Sequence, residues 1–293
     1  MLRGYLLIAI AALFWGVSAT GAKALFNRNI PPLVLVETRA GISFLLLTPL
    51  LALTGREHLR RGLGHWRQLA ILGVVGMAGA NATYYLAIQQ SNVPTAILVQ
   101  YTAPAWVALY SVWRASERMT SRKFAALVLS LAGCAIAVGA YDPAVLRLTG
   151  LGVAWGFAAA LTFSFFNVYG GRLARELGHW TVLYYSLGFA TLFWLITYSP
   201  THLAGYNRAD WVSFALIALG SSLIPFGSYY WGLRYLRPTR ALITSTLEPI
   251  FAIVSSWIIL GDHLPAFRWL GVAGVLSAVL LLQRPESETQ PEH

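Results

Sequence analysis

The sequence predicts an all-α integral membrane protein: ten transmembrane helices arranged as two inverted five-helix repeats around a central cavity. Three observations carry this expectation. Of the 293 residues, 57% are hydrophobic and only 11% charged, with a mean hydropathy of +0.61, whereas soluble domains carry about 25% charged residues. The apolar residues gather into ten runs separated by short hydrophilic connections. Residues of the first half also recur in the second half at a nearly fixed offset.

The runs span roughly 4–26, 32–53, 69–88, 94–113, 124–140, 150–171, 181–199, 211–233, 240–260 and 268–282. Several are shorter than the ~20 residues of an average span. Backbone in lipid must satisfy its own hydrogen bonds, and the runs lack strand alternation, so helices are the economical reading. The first run, with Arg3 before it and Ala22-Lys23-Ala24 near its end, resembles a secretory signal peptide with a cleavage site. It is read instead as the first spanning helix, because the second half contains its counterpart. The connections leave no room for a soluble domain. The single cysteine, Cys134, lies inside an apolar run, so no intrachain disulfide or cysteine metal cluster can form, and it is read as a packing residue.

Orientation follows from Lys and Arg. With the N-terminus placed inside, 15 of the 21 basic residues fall on the inner side, including the groups at Arg56–Arg67, Arg114–Lys123 and Arg234–Arg240. Four fall outside (Arg28, Arg147, Arg208 and Arg268), and Lys23 and Arg39 lie within runs. This bias predicts both termini in the cytoplasm and a multi-pass protein of the cell inner membrane. The net charge of +10 is thus spent on topology. It forms no single face, and no nucleic-acid partner is expected.

The repeat has a register. An offset of 145 carries Tyr84-Tyr85 onto Tyr229-Tyr230, Ala96 onto Ala241, Pro104 onto Pro249, Ser111 onto Ser256 and Glu117 onto Asp262. An offset of 148 carries Leu13 onto Leu161 and Trp15 onto Phe163. Five spans is an odd number, so the second copy enters the membrane upside down, which places a binding site near the midplane between the halves. The predicted units are 1–145, 146–284 and a disordered cytoplasmic tail at 285–293. Ten helices can enclose a cavity within one chain, so a monomer is expected.

Within the run Arg240–Leu260, Glu248 and Pro249 sit near mid-membrane. A carboxylate at that depth costs about 2.5–3.5 kcal/mol on insertion scales, and a proline there bends the helix. Glu248 can be a partner for a proton or a substrate ammonium, or it can accept helix or tyrosine hydrogen bonds and brace the Pro249 bend; Ala103 takes its place in the first repeat. Arg39 lies roughly 12 Å into the second run at 1.5 Å per residue. It can hold a substrate carboxylate, pair with a protein carboxylate, or snorkel outward. Glu37 points to another face of the same helix, and a Lys23–Glu37 ion pair would close part of the outer vestibule. Pro104 and Pro249 are expected hinge points. Asn81 and Tyr84 or Tyr85 share a helix face. With Trp15, Tyr101, Phe163 and Asn167 they predict an aromatic cavity with a few amide and hydroxyl groups, as small-molecule sites are usually built.

The segments TLEPIFAIVSSWIILGDHL (246–264) and YTAPAWVALYSVWRASERM (101–119) resemble the paired signature of the drug/metabolite transporter superfamily, EamA family. In that family a proline in helices 4 and 9 is followed, about a turn past the helix end, by Gly-Glu-x-Leu. Here the motif reads Gly261-Asp262-His263-Leu264 in the second half and departs to Ser116-Glu117-Arg118-Met119 in the first. The resemblance covers about residues 4–282. It implies ten helices, a secondary transporter, no cofactor, and an acid before the helix-9 proline whatever the solute. The aromatic richness and the set Asn81, Tyr84 and Tyr101 are most similar to aromatic amino-acid exporters of this family.

The function predicted is export of amino acids or related small metabolites by facilitated diffusion through alternating access. Alternatives are a proton-coupled drug/metabolite exporter and a lipid-linked sugar carrier. The sequence carries no Walker motif, and the glycines of Gly73-Val-Val-Gly76-Met-Ala-Gly79 follow no strand, so they serve helix packing rather than phosphate binding. All six histidines fall in connections or at segment ends, which leaves no catalytic or metal-binding pair at depth and argues against an enzyme. No ring of charge or filter-like sequence suggests a channel.

Overall fold

The structure, a computed structural model, describes residues 2–26, 28–114, 119–198, 200–260 and 265–283. The Gly261–Leu264 motif, most of its first-half partner (Ser116–Arg118) and the expected tail lie outside these residues. Every regular element described is helical. The helices are α1 (Leu2–Phe26), α2 (Pro32–Thr54), α3 (Arg56–Leu63), α4 (Trp66–Ile71), α5 (Gly79–Gln90), α6 (Val93–Gln100), α7 (Ala103–Trp113), α8 (Ser121–Val138), α9 (Gly150–Leu177), α10 (His179–Thr197), α11 (Arg208–Ala218), α12 (Ile224–Gly232), α13 (Pro238–Ser245), α14 (Leu247–Leu260) and α15 (Ala266–Gln283). A π-helical turn, Leu72–Ala78, joins α4 to α5 in one rod, and a second, Leu219–Leu223, joins α11 to α12.

Among the described residues, eight rods are long and apolar enough to cross a membrane by length and composition. The runs at 94–113 and 240–260, expected to bend at their prolines, are each broken into two helices. Pro104 and Pro249 cause the breaks. Proline offers no N–H to the carbonyl four residues back, and its ring crowds that turn. Those carbonyls belong to Gln100 and Ser245, the last residues of α6 and α13. The expected connection at 56–63 also departs from expectation: it is a short, strongly basic helix, α3, fastened by the Tyr185 hydroxyl donating to the Leu59 carbonyl at 2.6 Å.

The packing reproduces the repeat. Rod three (α4–α5) packs on rod six (α9) as rod eight (α11–α12) packs on rod one (α1). Rod four (α6 and α7) lies on α9 as rod nine (α13 and α14) lies on α1. Rod three touches rod seven (α10) as rod eight touches rod two (α2), while α2–α10 and α8–α15 are pairs of counterparts. The two π turns also correspond, since an offset of 145 carries 74–78 onto 219–223. Tyr5 near the start of α1 donates to the Leu282 carbonyl near the end of α15 at 2.8 Å, which puts the start of α1 and the end of α15 at one end of the bundle. That end is tightly filled: Ile8, Leu233 and Leu236 are buried there, and Gly232 lies directly against Ile8.

Candidate functional site

The central cavity leaves about 100 Å³ for the centre of a water-sized sphere, within about 770 Å³ of non-atom space that is partly continuous with the surroundings. Its lining residues sit at the middle of their rods or in the half away from the chain ends: Trp15 to Ala22 on α1, Arg39 on α2, Gly76 to Tyr85 on rod three, Gln100 and Tyr101 at the end of α6, Phe163 and Phe166 on α9, Ile217 to Phe226 on rod eight, and Glu248 on α14. Both π turns contribute, through Gly76 and Met77 in the first and Ser221 in the second. The extra residue in such a turn rotates the following side chains and frees local carbonyls, and π turns recur at functional sites. Here the Ser221 carbonyl accepts from the Trp15 indole N–H at 3.1 Å, fixing the ring across the cavity floor.

The walls are aromatic. Trp15 meets Phe163 and Phe226 edge-on at 6.4 and 5.2 Å between ring centres. Phe166 stacks behind Phe163 at 5.9 Å, and Tyr84 and Tyr85 meet edge-on at 5.5 Å. Edge-on and offset rings fill space at favourable quadrupole geometry, so this part of the wall is closely packed.

Two charged side chains, Arg39 and Glu248, are among the lining residues. Arg39 is nearly buried. One end of its fork donates to the side-chain carbonyl of Asn81, and its other terminal nitrogen lies 3.4 Å from the Tyr85 hydroxyl. Asn81 is itself held by donating to the Met77 carbonyl at 2.6 Å. Glu248 accepts from the Tyr101 hydroxyl at 2.6 Å. Among the described residues no ion pair joins Arg39 to Glu248. The cavity therefore presents a cation held by amide and phenol on one wall and an anion held by phenol on another, above an aromatic floor.

Of the residues proposed from sequence, Trp15, Asn81, Tyr84, Tyr101 and Phe163 line this space together with Arg39 and Glu248. Asn167 does not. It shares a helix face with Phe163, but Tyr229 from rod eight covers it: Asn167 is fully buried, its amide donates to the Phe163 carbonyl at 2.7 Å, and its side-chain oxygen accepts from the Tyr229 hydroxyl. It supports the wall from behind. Pro104 and Pro249 stand at the helix breaks rather than in the cavity. Glu37 is buried and not part of the lining, and its expected pairing with Lys23 involves a side chain outside the described residues. Sequence reasoning missed Phe166 and Phe226. Phe166 follows Phe163 by three residues, the spacing of one helix face, which was the available signal.

A family profile described as the EamA-like transporter family matches residues 2–139 and again 150–284. The chain is 27% identical over 285 residues to the uncharacterized inner membrane transporter YicL of Salmonella typhimurium, covering 96% of this chain and 95% of that one. It is 28% identical over 295 residues to the threonine/homoserine exporter RhtA of Escherichia coli, covering 97% and 92%. A solved crystal structure shares the fold with a TM-score of 0.79 at 19% identity, over 96% of each chain.

Proposed function

The chain belongs to the EamA-like transporter family, and on that premise we propose that it exports amino acids across the inner membrane by facilitated diffusion, working as a monomer with both termini in the cytoplasm. In this reading the two broken rods complete ten crossings, residues 1–145 and 146–284 form inverted repeats, and the cavity is open on the outer side. The observation that carries the substrate class is the pairing of one cation and one anion on the walls of one aromatic cavity. A free amino acid is a zwitterion of matching form. Its carboxylate suits the Arg39 fork, since guanidinium binds carboxylates in a bidentate manner, and its ammonium suits Glu248. The aromatic floor then receives the side chain, and Trp15, Phe163, Phe166 and Phe226 favour an apolar or aromatic one. The relative named as a threonine/homoserine exporter supports the class.

The test is counterflow in proteoliposomes with labelled phenylalanine or threonine. Both free amino acids compete, while their methyl esters and N-acetyl forms, each lacking one charge, compete at least about tenfold less well, the factor expected for losing one hydrogen bond to a charged group. Esters and N-acetyl forms that compete equally with the free acids would remove the zwitterion reading. Rates down the substrate gradient should also match with and without an imposed pH gradient. Accumulation that follows the pH gradient and disappears in Glu248→Gln would replace facilitated diffusion by proton coupling.

A further inference from the structure

Tyr101 does more than line the wall. It ends α6, so it sits at the break in rod four, and both acceptors of its hydroxyl lie in rod nine. One is Glu248 Oε2 at 2.6 Å, in α14. The other is the Ser245 carbonyl at 3.3 Å, at the end of α13. Between them is Thr246, the break itself. The Ser245 carbonyl is also the one that Pro249 leaves without an intrahelical donor. A single phenol thus bridges the gap left by the proline and touches both halves of the broken rod.

The two halves are anchored differently. α14 is seated on α1 at Gly16, where a side-chain carbon would come within 2.7 Å of the Ala252 nitrogen and the Glu248 carbonyl. α13 is buried at the closed end and packs against α1, α7, α9 and α15. Any motion that opens that end has to swing α13 relative to α14, and the hydroxyl of Tyr101 is the polar tie across that joint. The first repeat has no equivalent: the residue matching Glu248 is Ala103, and Thr246 stands where Tyr101 would stand.

We propose that Tyr101 is a positioning residue for transport, a staple across the helix-nine break that a substrate ammonium releases by taking Glu248. A phenol hydroxyl has one proton. While Glu248 is unoccupied the proton is shared toward both halves and holds them in register. When an ammonium claims the carboxylate, the α14 end of the staple is lost and α13 is free to swing. This makes opening of the closed end conditional on a cationic group in the cavity. It rests on the amino-acid reading for the identity of the releasing group, but not for the staple itself.

The experiment uses the full chain in proteoliposomes, with Cys134→Ala as parent and a reporter cysteine at Ala241, a fully buried small residue of α13. A membrane-impermeant maleimide is applied from the side of the termini. In the parent, labelling is slow and phenylalanine accelerates it. Tyr101→Phe keeps the ring and removes the staple, so labelling without substrate should rise about tenfold or more, the scale of losing a hydrogen bond to a charged group. Glu248→Gln keeps an acceptor for Tyr101 but no charge for the ammonium, so labelling should stay slow with or without phenylalanine. Glu248→Leu removes the acceptor and should behave as Tyr101→Phe, which provides a second route if one variant is poorly folded. Slow, parent-like labelling in both Tyr101→Phe and Glu248→Leu would overturn the staple. A parent that ignores every amino acid, alongside fast labelling in Tyr101→Phe, would instead leave the staple standing and sink the amino-acid reading.

Discussion

Gly271→Ala should destabilise the protein, and Gly274→Ala, three residues further along the same helix, should not. Both substitutions add one methyl group to α15 where it packs on α8. At Gly271 that carbon would lie 2.4 Å from the Ala137 nitrogen and 2.5 Å from the Gly133 carbonyl oxygen. Both are backbone atoms of α8 and cannot rotate away, so the helices must separate. The contact is mutual, because a carbon on Gly133 would meet the Gly271 carbonyl and the Val275 nitrogen at 2.8 Å. Small residues that let backbones touch are how helices associate in lipid, where no hydrophobic force draws them together. Overpacking of this kind costs about 1–3 kcal/mol, a large share of a typical folding free energy. At Gly274 the nearest atom is the Gly133 Cα at 3.3 Å, which a few tenths of an ångström relieve. There the gain from replacing a mid-helix glycine, roughly 0.5–1 kcal/mol, offsets the crowding. Thermal unfolding in detergent, followed by size-exclusion chromatography, should show a clearly lowered midpoint for Gly271→Ala and an unchanged or raised one for Gly274→Ala. Equal midpoints would mean that α8 and α15 do not meet at this pair of glycines.

The contrast between these two glycines also shows what a sequence can and cannot display. Apolar runs, charge bias and the offset of 145 are one-dimensional signals, and they carried the helical fold and the positions of the two proline breaks. Proline acts on its own preceding turn, so its effect is local and readable. The π turns at Leu72–Ala78 and Leu219–Leu223 were not anticipated from the apolar runs. Depth on a helix face is similarly hidden. Phe163 and Asn167 are four residues apart and point the same way, yet one reaches the cavity and the other is roofed by Tyr229 from a different rod. Periodicity gives the direction of a side chain, and the neighbour that covers it comes from elsewhere in the chain. Tyr101 and Glu248 were each visible as intramembrane polar residues. A tyrosine hydrogen bond to Glu248 was expected; that Tyr101, 147 positions away, supplies it was not legible.

Arg39→Gln should abolish most transport of free amino acids while sparing their esters. The side chain is nearly buried, and among the described residues its fork bonds neutral partners, Asn81 and Tyr85. A buried guanidinium with no ion pair among the described residues is costly to keep, and Arg39 lines the cavity. A substrate carboxylate would complete it. Hydrogen bonds to charged groups contribute about 1.5–3 kcal/mol, so losing the fork should weaken binding by roughly tenfold to a hundredfold. Glutamine retains an amide able to bond Asn81, which keeps the wall packed and isolates the charge. Lysine restores the charge but not the planar fork, so Arg39→Lys should recover only part of the loss. The discriminating measurement is counterflow at low substrate with phenylalanine and with its methyl ester as competitors. If Arg39 binds carboxylate, the variant loses its preference for the acid, and the two inhibit within about twofold of one another. If Arg39 serves only to hold Asn81 and Tyr85 in place, inhibition by acid and ester falls in parallel, the preference for the acid survives, and the cation must be reassigned to the scaffold of rods two and three.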